Sequence, residues 1–421
     1  MAGPSSLIKN LRKKTGSVSF TESKWGAPSH YISTGDYGVN QIISGSVFKG
    51  IPAGRVSVFA GESMSLKTIQ VIRIAAEALN KHKYDTVYYF DSEGGGGAET
   101  FKSFGCDLDK IEHILVETTE DAAIKMITVL KAIEEYQKKE DPNYKACIIL
   151  DSLGNLENDK TFKDIEKDRL AADQGAAAKV KNKLCRAMTI PALKTDVPIM
   201  IINWVYDGPS MYTQKIKDQP GGKGAQFVGC VNVQCAKLLE KSENTDEGGY
   251  YENSLITMFT VKNRLVTPYL STKVHVSFTE GFNMFPFLSL FDSAVELGFI
   301  TRESSQSYTV KAWKDDLLRQ IDEYSIQFEK ANGKSPSNAS LKEKFGDPDR
   351  MLKKKDLVGG KFADEIWATF LEDYDKAAMK RIAYSKVTKE GIEELGFTTE
   401  EAQDLIKKID SDEDEPETIK E

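Results

Sequence analysis

Residues Val56–Thr68 read VSVFAGESMSLKT, and the predicted fold of this chain follows from them. The stretch begins with an apolar run and continues from Gly61 into a polar turn that ends in Lys67-Thr68. This order predicts a strand, a loop and the first turn of a helix, an arrangement that binds phosphate through backbone N–H groups and the helix N-terminus. We expect Lys67 to reach the β- and γ-phosphates of a nucleotide and the Thr68 hydroxyl to bind Mg²⁺.

The loop departs from the usual pattern G-x-x-x-x-G-K-[ST] at one position, because Leu66 stands where the second glycine is expected. A residue with a Cβ must there accept a backbone conformation that glycine adopts easily. The alternative interpretation is a chance G…KT at a strand–helix junction. On the first interpretation the ATP-binding residues are Gly61, Glu62, Ser63, Met64, Ser65, Leu66, Lys67 and Thr68.

Length and composition predict a globular protein of two or three domains, since 421 residues with 40% apolar content can bury a full core. The chain has no apolar run of about 18 residues and no apolar core of a signal peptide, so we expect no membrane span. The five cysteines form no CxxC motif, which favours a reduced, cytoplasmic setting.

The negative charge is concentrated in one segment. Residues 410–421 contain seven acids and one lysine, a net charge of −6, which leaves −2 for the remainder of a chain whose total is −8. Such a run is usually a solvated tail, and the alternative is an acidic segment that competes with DNA phosphates for a basic channel.

Carboxylates follow two predicted strands directly. Thr86–Phe90 is followed by Asp91-Ser92-Glu93, and Ala146–Leu150 is followed by Asp151. In α/β sheets, ligands bind at the carboxyl ends of the strands. We therefore expect Asp151 to fix the Mg²⁺ shell and Glu93 to deprotonate a water aimed at the γ-phosphate, although Glu93 can also be read as an ordinary turn carboxylate.

Strands alternate with helices along the first half of the chain, which predicts an α/β fold with a mostly parallel central sheet flanked by helices. A further buried strand, Pro198–Ile202, ends at Asn203-Trp204. The remaining predictions are helices over 68–80, 121–139 and 162–188, strands over 231–236 and 255–261, and a helical C-terminal domain.

The segment 205–226 is polar, lacks hydrophobic periodicity and is too long for an ordinary connection. Mixed lysines and aromatic residues suit a single-stranded backbone with stacked bases, and the alternative is a lid that binds no nucleic acid. The candidate DNA-binding residues are Tyr206, Tyr212, Lys215, Lys217, Gly221, Gly222 and Lys223.

Two further features point to contacts outside the core. Leu7, Ile8 and Leu11 form one face of a short basic helix that cannot be stable alone, so it docks either on its own domain or on the next subunit. Lys262 and Arg264, two apart at a strand end, point the same way. They either stabilise phosphate charge, in their own subunit or in a neighbour, or are solvated.

Over roughly residues 30–300 the ordered set of motifs resembles the RecA-type strand-exchange ATPases, and within that family the UvsX-type recombinases of phages. That branch also lacks the glycine before the lysine of the phosphate loop. The stretches that carry the resemblance are GESMSLKT (61–68), FDSEG (90–94), LDSLGNL (150–156), PGGKGAQF (220–227) and VKNR (261–264).

The resemblance implies a RecA-like P-loop ATPase core over 31–300, an N-terminal oligomerisation helix and strand over 1–30, a helical C-terminal domain over 301–409 and an acidic tail over 410–421. It implies a DNA-dependent ATPase that uses ATP and Mg²⁺, forms a homo-oligomeric filament on single-stranded DNA and exchanges strands with double-stranded DNA. A recombination mediator and a single-strand-binding protein are the further partners implied. If the protein is phage-encoded, its compartment is the cytoplasm of the bacterial host.

The resemblance also assigns roles to single residues. Lys262 and Arg264 would reach the ATP of the neighbouring subunit, which Phe227 would contact. Trp204 stands where the family has Gln or His to sense the γ-phosphate, and an indole can donate but not accept a hydrogen bond. Asn203 or the Trp204 N–H would then sense the phosphate. The family's adenine-stacking tyrosine is replaced by Thr100, so Phe101 is expected to stack instead.

Two other functions fit the same motifs. One is a RecA-fold hexameric helicase or translocase, which forms closed rings. The other is a nucleotide-gated DNA-binding regulatory paralogue with weak hydrolysis, an alternative that only Trp204 favours.

Overall fold

The computed structural model describes residues 4–19, 23, 25–94, 97–165, 167, 175–206, 217–221, 223–240, 253–277, 281–282 and 285–383. The helices are α1 (Pro4–Thr15), α2 (Tyr37–Ser44), α3 (Lys67–Lys81), α4 (Ala98–Ser103), α5 (Thr119–Lys139), α6 (Asp159–Ile165), α7 (Ala176–Thr195), α8 (Lys223–Val228), α9 (Leu288–Glu296), α10 (Lys311–Asn332), α11 (Asn338–Phe345), α12 (Lys354–Val358), α13 (Lys361–Ala368) and α14 (Leu371–Ile382). The strands are β1 (Tyr31–Ile32), β2 (Ile51–Pro52), β3 (Val56–Gly61), β4 (Thr86–Asp91), β5 (Ile111–Leu115), β6 (Ala146–Asp151), β7 (Ile199–Asn203), β8 (Val231–Glu240), β9 (Asn253–Asn263), β10 (Ser271–Ser277), β11 (Gly281–Phe282), β12 (Thr301–Arg302) and β13 (Tyr308–Thr309).

The central sheet has nine strands within the described residues, in the order β11-β10-β9-β8-β3-β7-β6-β4-β5. The strands from β8 to β5 in this order are parallel, and β9, β10 and β11 are added antiparallel to their neighbours. The predicted α/β fold with a mostly parallel sheet is therefore confirmed. The strands β5 and β10 were not predicted, because neither forms a continuous apolar run.

Helices cover both faces of the sheet, which explains the apolar strand sequences. Every residue of β3, β6 and β7 is buried. On one face α2 and α3 contribute Ile42, Ile72 and Ile74 to a core, and on the other face α5 and α7 contribute Leu130 and Met188 to a second core. Strands buried on both sides need apolar residues at every position, rather than at alternate ones.

The single helix predicted over 162–188 is wrong. The structure has α6 and α7 instead, and α7 continues beyond the predicted end and through Pro191 to Thr195. Proline lacks the N–H that a helix interior uses, so it normally marks a break. Here Met188 and Ala192 on either side of Pro191 are buried against the sheet, which keeps the helix continuous. The helix ends at Thr195, and the following residue, Asp196, has a φ of 55° in the left-handed region.

The C-terminal helices enclose a third apolar core, in which Trp367 stacks on Phe287 with ring centroids 4.6 Å apart. Leu290 of α9 and Val47 also belong to this core, which therefore includes residues that precede the domain boundary predicted at 301. The buried carboxylate of Asp375 accepts a hydrogen bond from the backbone N–H of Val47, at 2.6 Å, and thereby ties α14 to the segment before β2.

The predicted tail at 410–421, and the rest of the chain from 384, lie outside the described residues. Among the helices that the structure does describe, none has the length and apolar character needed to cross a bilayer.

Candidate functional site

The predicted phosphate loop lies between β3 and α3. A Cβ on Gly61 would come within 2.5 Å of both the Cys235 carbonyl oxygen and Ser65 Oγ, so only glycine fits there. Leu66 has a φ of 58°, in the left-handed region that glycine prefers. The unusual residue therefore adopts the backbone conformation that the expected glycine would supply, and its side chain packs against the first core.

Lys67 begins α3 and turns its ammonium group back into the loop. Its Nζ donates to the carbonyl oxygen of Glu62 at 2.7 Å and to Ser65 Oγ at 3.4 Å. Burial lowers the pKa of Lys67. The ammonium is thus held by oxygens of the loop itself, at the position where phosphate oxygens would be bound.

Thr68 and Asp151 lie next to each other although they come from different motifs. Thr68 Oγ1 and the Tyr89 hydroxyl each donate to Asp151 Oδ2 at 2.9 Å. Burial raises the pKa of Asp151 to about 6. Its other oxygen, Oδ1, is buried without a hydrogen-bond partner among the described residues. A carboxylate oxygen in need of a partner, beside a hydroxyl, fits the oxygen ligands that Mg²⁺ prefers.

Glu93 is held at the mouth of the same site by two turns. Asp91 Oδ1 accepts hydrogen bonds from the backbone N–H groups of Glu93 and Gly94, at 2.9 and 2.7 Å. Ser152, directly after Asp151, donates its hydroxyl to Glu93 Oε1. Sequence reasoning missed both Asp91 and Ser152 as supports of Glu93. Both residues belong to the short polar motifs at the ends of β4 and β6, and this position in the sequence could have identified them.

These residues surround a cleft of about 690 Å³. It is lined by Glu62, Ser63, Met64, Leu66, Lys67, Thr68, Ile69, Glu93, Asp151, Ser152, Gly154, Asn155, Glu157, Ile202, Asn203, Trp204 and Val205. Phe101 does not line this cleft. Its side chain is 3% exposed and packs edge-on against Tyr89 in the first core, so its ring offers no free face for adenine. The expectation that Phe101 stacks on the base is corrected accordingly.

Trp204 and Asn203 occupy different environments at the end of β7. Trp204 is 49% exposed and lies directly over Gly154, where an added Cβ would come within 1.8 Å of the indole. Asn203 is buried, and its side-chain amide donates to the Pro220 carbonyl oxygen at 3.2 Å. Both line the cleft, and Asn203 donates the hydrogen bond that reaches the base of the predicted DNA loop.

The two ends of the predicted DNA loop are anchored near the cleft. Tyr206, 45% exposed, forms an antiparallel backbone bridge with Asp218. Lys217 forms an ion pair with Glu62 of the phosphate loop. Gly221 has a φ of 86°, which suits glycine, and Lys223 begins α8. Tyr212, Lys215 and Gly222 lie outside the described residues.

Lys262 and Arg264 converge on one carbonyl group. Lys262 Nζ and Arg264 Nη2 both donate to the oxygen of Phe227, the latter at 3.0 Å. Burial, with Arg264 nearby, lowers the pKa of Lys262 to about 8. The Phe227 side chain is 61% exposed. Leu7, Ile8 and Leu11 of α1 are also largely exposed.

Strand register places this basic pair far from the phosphate loop of its own chain. Lys262 pairs with Asn232 on β8, and Asn232 pairs with Val58 on β3. From Val58, β3 continues for three residues to Gly61, a rise of roughly 10 Å away from the basic pair. The basic pair therefore lies towards the amino-terminal ends of β3 and β8, whereas the phosphate loop follows the carboxyl end of β3.

The sequence model of the RecA N-terminal domain matches residues 6–283, more than half of the chain. The chain belongs to the RecA family. Among similar proteins, the "Recombination and repair protein" of Enterobacteria phage T4 is 25% identical over 304 residues, 72% of this chain and 73% of the relative. Protein RecA of Mycoplasmopsis pulmonis is 23% identical over 282 residues, covering 66% of this chain and 77% of the relative. Protein RecA of Aquifex pyrophilus is 22% identical over 261 residues, 61% of this chain and 68% of the relative.

The family membership predicted from the motifs is thereby confirmed. The RecA-family match includes the phosphate loop, the Glu93 and Asp151 turns, the ends of the predicted DNA loop and the basic pair. It stops at residue 283, before the C-terminal unit formed by helices α9 to α14, whose apolar core also includes Val47 from the matched region. The C-terminal unit thus lies beyond the matched part of the chain.

Proposed function

We propose that this protein is an ATP-dependent DNA recombinase. It forms helical filaments on single-stranded DNA and catalyses homologous pairing and strand exchange with double-stranded DNA in recombination, repair and recombination-dependent replication. The observation that carries the proposal is the position of the phosphate-loop cleft and the Lys262–Arg264 pair at opposite edges of one sheet. A subunit with this layout presents the phosphate-loop cleft at one end and the basic pair at the other. When subunits stack, the cleft of one subunit and the basic pair of the next form a complete site. The similar recombination and repair protein of phage T4 and the bacterial RecA proteins support this proposal.

In the proposed site, one subunit binds ATP and its neighbour supplies positive charge. Lys67 and the loop backbone hold the β- and γ-phosphates, and Thr68 with Asp151 would hold Mg²⁺, which neutralises phosphate charge when bound. Glu93 accepts a proton from the water that attacks the γ-phosphorus, as the bond to the ADP oxygen breaks. Lys262 and Arg264 of the next subunit stabilise the charge that develops on the transferred phosphoryl group.

Because the site is complete only between subunits, hydrolysis depends on assembly, and single-stranded DNA promotes assembly. ATP then acts as a switch, since a nucleotide that binds the filament form better than the free form shifts the population towards it. The exposed side chains of Leu7, Ile8, Leu11 and Phe227 provide the contacts with the neighbouring subunit. A recombination mediator and a single-strand-binding protein are the further partners we propose.

The test is electron microscopy of the full chain on single-stranded DNA with and without ATP, together with the ATPase rate under the same conditions and a strand-exchange assay. We expect open helical filaments only with nucleotide and an ATPase rate that single-stranded DNA stimulates. Closed rings would instead support the hexameric helicase. An ATPase rate indifferent to DNA would support the nucleotide-gated regulatory protein.

A further inference from the structure

A lysine at the base of the DNA loop reaches the phosphate loop. The Nζ of Lys217 pairs with Oε1 of Glu62, a residue 155 positions earlier in the chain. The Lys217 side chain is 31% exposed and that of Glu62 is 62% exposed. The ion pair is thus a direct contact between the segment proposed to bind DNA and the segment proposed to bind ATP.

The backbone of Lys217 is fixed at this place by a buried side chain. Gln234 on β8 is 3% exposed. Its Oε1 accepts a hydrogen bond from the Lys217 N–H at 3.1 Å, and its Nε2 donates to the Lys217 carbonyl oxygen at 2.7 Å. Gln234 in turn pairs with Ala60, the residue before Gly61. Lys217 is therefore held beside the first residue of the phosphate loop, whatever its own ammonium group contacts.

Glu62 lies where a bound triphosphate would concentrate negative charge. It lines the cleft, and its carbonyl oxygen accepts the hydrogen bond from Lys67 Nζ. Its carboxylate and the phosphate oxygens carry the same charge, so both compete for a nearby ammonium group.

We propose that Lys217 is a nucleotide-binding residue and that Glu62 competes with ATP for it. The Glu62–Lys217 ion pair latches the base of the DNA loop to the phosphate loop, and the triphosphate releases this latch by drawing the ammonium to itself. The inference rests on the proposed function, because it assigns a regulatory contact within the same ATP and DNA site. Other contacts of the loop base, such as that of Gln219 Nε2 with Asn232 Oδ1 at 3.1 Å, involve uncharged groups that the phosphate charge affects less.

The test is a double-mutant cycle on the full chain with Glu62→Gln, Lys217→Gln and the double variant. Affinity for fluorescent N-methylanthraniloyl-ATP is measured without DNA. Glu62→Gln should tighten nucleotide binding and Lys217→Gln should weaken it, each by about two- to fivefold, the range of a partly exposed ion pair. In the Lys217→Gln background, Glu62→Gln should tighten nucleotide binding less than it does in the wild type, because only the direct repulsion between the Glu62 carboxylate and the phosphates remains.

The same variants are then tested for binding of a fluorescein-labelled oligothymidylate without nucleotide. Glu62→Gln should raise this affinity, because the loop is no longer latched. The matched control is the exposed Lys314–Asp349 ion pair of the C-terminal unit. Asp349→Asn removes a carboxylate from a similar pair and should leave both affinities at the wild-type value.

Additive effects of the two substitutions on ATP affinity, or an unchanged DNA affinity of Glu62→Gln, would overturn the latch. Its failure is distinguishable from failure of the proposed function. If the wild-type chain binds ATP and DNA cooperatively but the effects of the two substitutions are additive, only the latch is excluded. A wild-type chain that forms no filament on single-stranded DNA loses the recombinase function, whatever the nucleotide-binding cycle gives.

Discussion

The hydroxyl of Thr68 donates a hydrogen bond to the Asp151 carboxylate at 2.9 Å, although the two residues are 83 positions apart in the chain. Thr68 lies in the first turn of α3, and Asp151 ends β6. Because β3 and β6 run in the same direction with β7 between them, the helix that follows one and the carboxylate that ends the other meet at the same edge of the sheet. This contact brings the two motifs predicted to bind the nucleotide together at one site.

Lys67→Ala should reduce the ATPase rate by about 10²–10³-fold, the usual effect of removing one group that stabilises developing charge. The fold should persist, because the ammonium group of Lys67 donates hydrogen bonds to oxygens of its own loop, those of Glu62 and Ser65. ATPase assays with single-stranded DNA and circular dichroism of the same samples check both statements. Turnover close to that of the wild type would show that the phosphate loop is misassigned.

Lys262→Ala combined with Arg264→Ala should leave ATP binding intact but impair hydrolysis on DNA, because we propose that both side chains act on the ATP of the neighbour. Mixing this variant with Lys67→Ala subunits tests the trans arrangement directly. Where an intact phosphate loop meets an intact basic pair, a working site forms, so the mixture should hydrolyse more ATP than either variant alone. Normal hydrolysis by the double variant, or an impaired double variant that mixing does not restore, would contradict the trans arrangement.

The activity should fall at alkaline pH through Lys262. Its pKa in the folded chain is lowered to about 8 from the ordinary 10.5, so its charge is lost as the pH rises through 8. DNA-stimulated kcat/KM should decline there, and Lys262→Arg should abolish the decline because arginine stays protonated. Between these two pKa values the unfolded chain binds more protons at this residue, so Lys262 makes the free energy of unfolding rise with pH. Identical pH profiles of kcat/KM for the wild type and Lys262→Arg would exclude Lys262 as the group whose titration lowers the activity.

Gly154→Ala should displace Trp204. A Cβ at residue 154 would come within 1.8 Å of Trp204 Cδ1 and 1.9 Å of its Nε1, so the indole must move. We expect a shift in tryptophan emission and a loss of about 1 kcal/mol in the free energy of unfolding, since the half-exposed ring has room to relax. The emission difference should vanish in a Trp204→Phe background. Unchanged emission in the alanine variant would contradict the observed packing.

Deleting residues 410–421 should strengthen binding to double-stranded DNA, most clearly at low salt. The deletion removes a net charge of −6, and exposed charges act over longer distances as the ionic strength falls. Filter binding across a salt series measures the effect. A replacement segment of Ser and Gly of the same length controls for length, and an unchanged salt dependence would leave the segment without a role in DNA binding.

Much of the fold was predictable because its strands are buried on both faces. The predicted ends of β3, β4, β6 and β7 agree with the structure to within one residue, since continuous apolar runs stop where polar groups meet the cleft. The phosphate loop and the two carboxylate turns were also recognisable in the sequence, because each directly follows one of these apolar runs. Helix ends were harder, and α7 continues past Pro191 because its buried side chains outweigh the local signal.

The chain's order of residues was sufficient for the α/β class, the phosphate loop and the family, because these depend on local patterns that any reader of the sequence can see. The three-dimensional packing alone placed Phe101 inside the core, set Lys262 and Arg264 at the edge away from the phosphate loop, and joined Glu62 to Lys217. These relationships depend on strand order, register and side-chain contacts between residues distant in the chain. No local pattern encodes them, because each contact is stabilised by the packing of the whole domain.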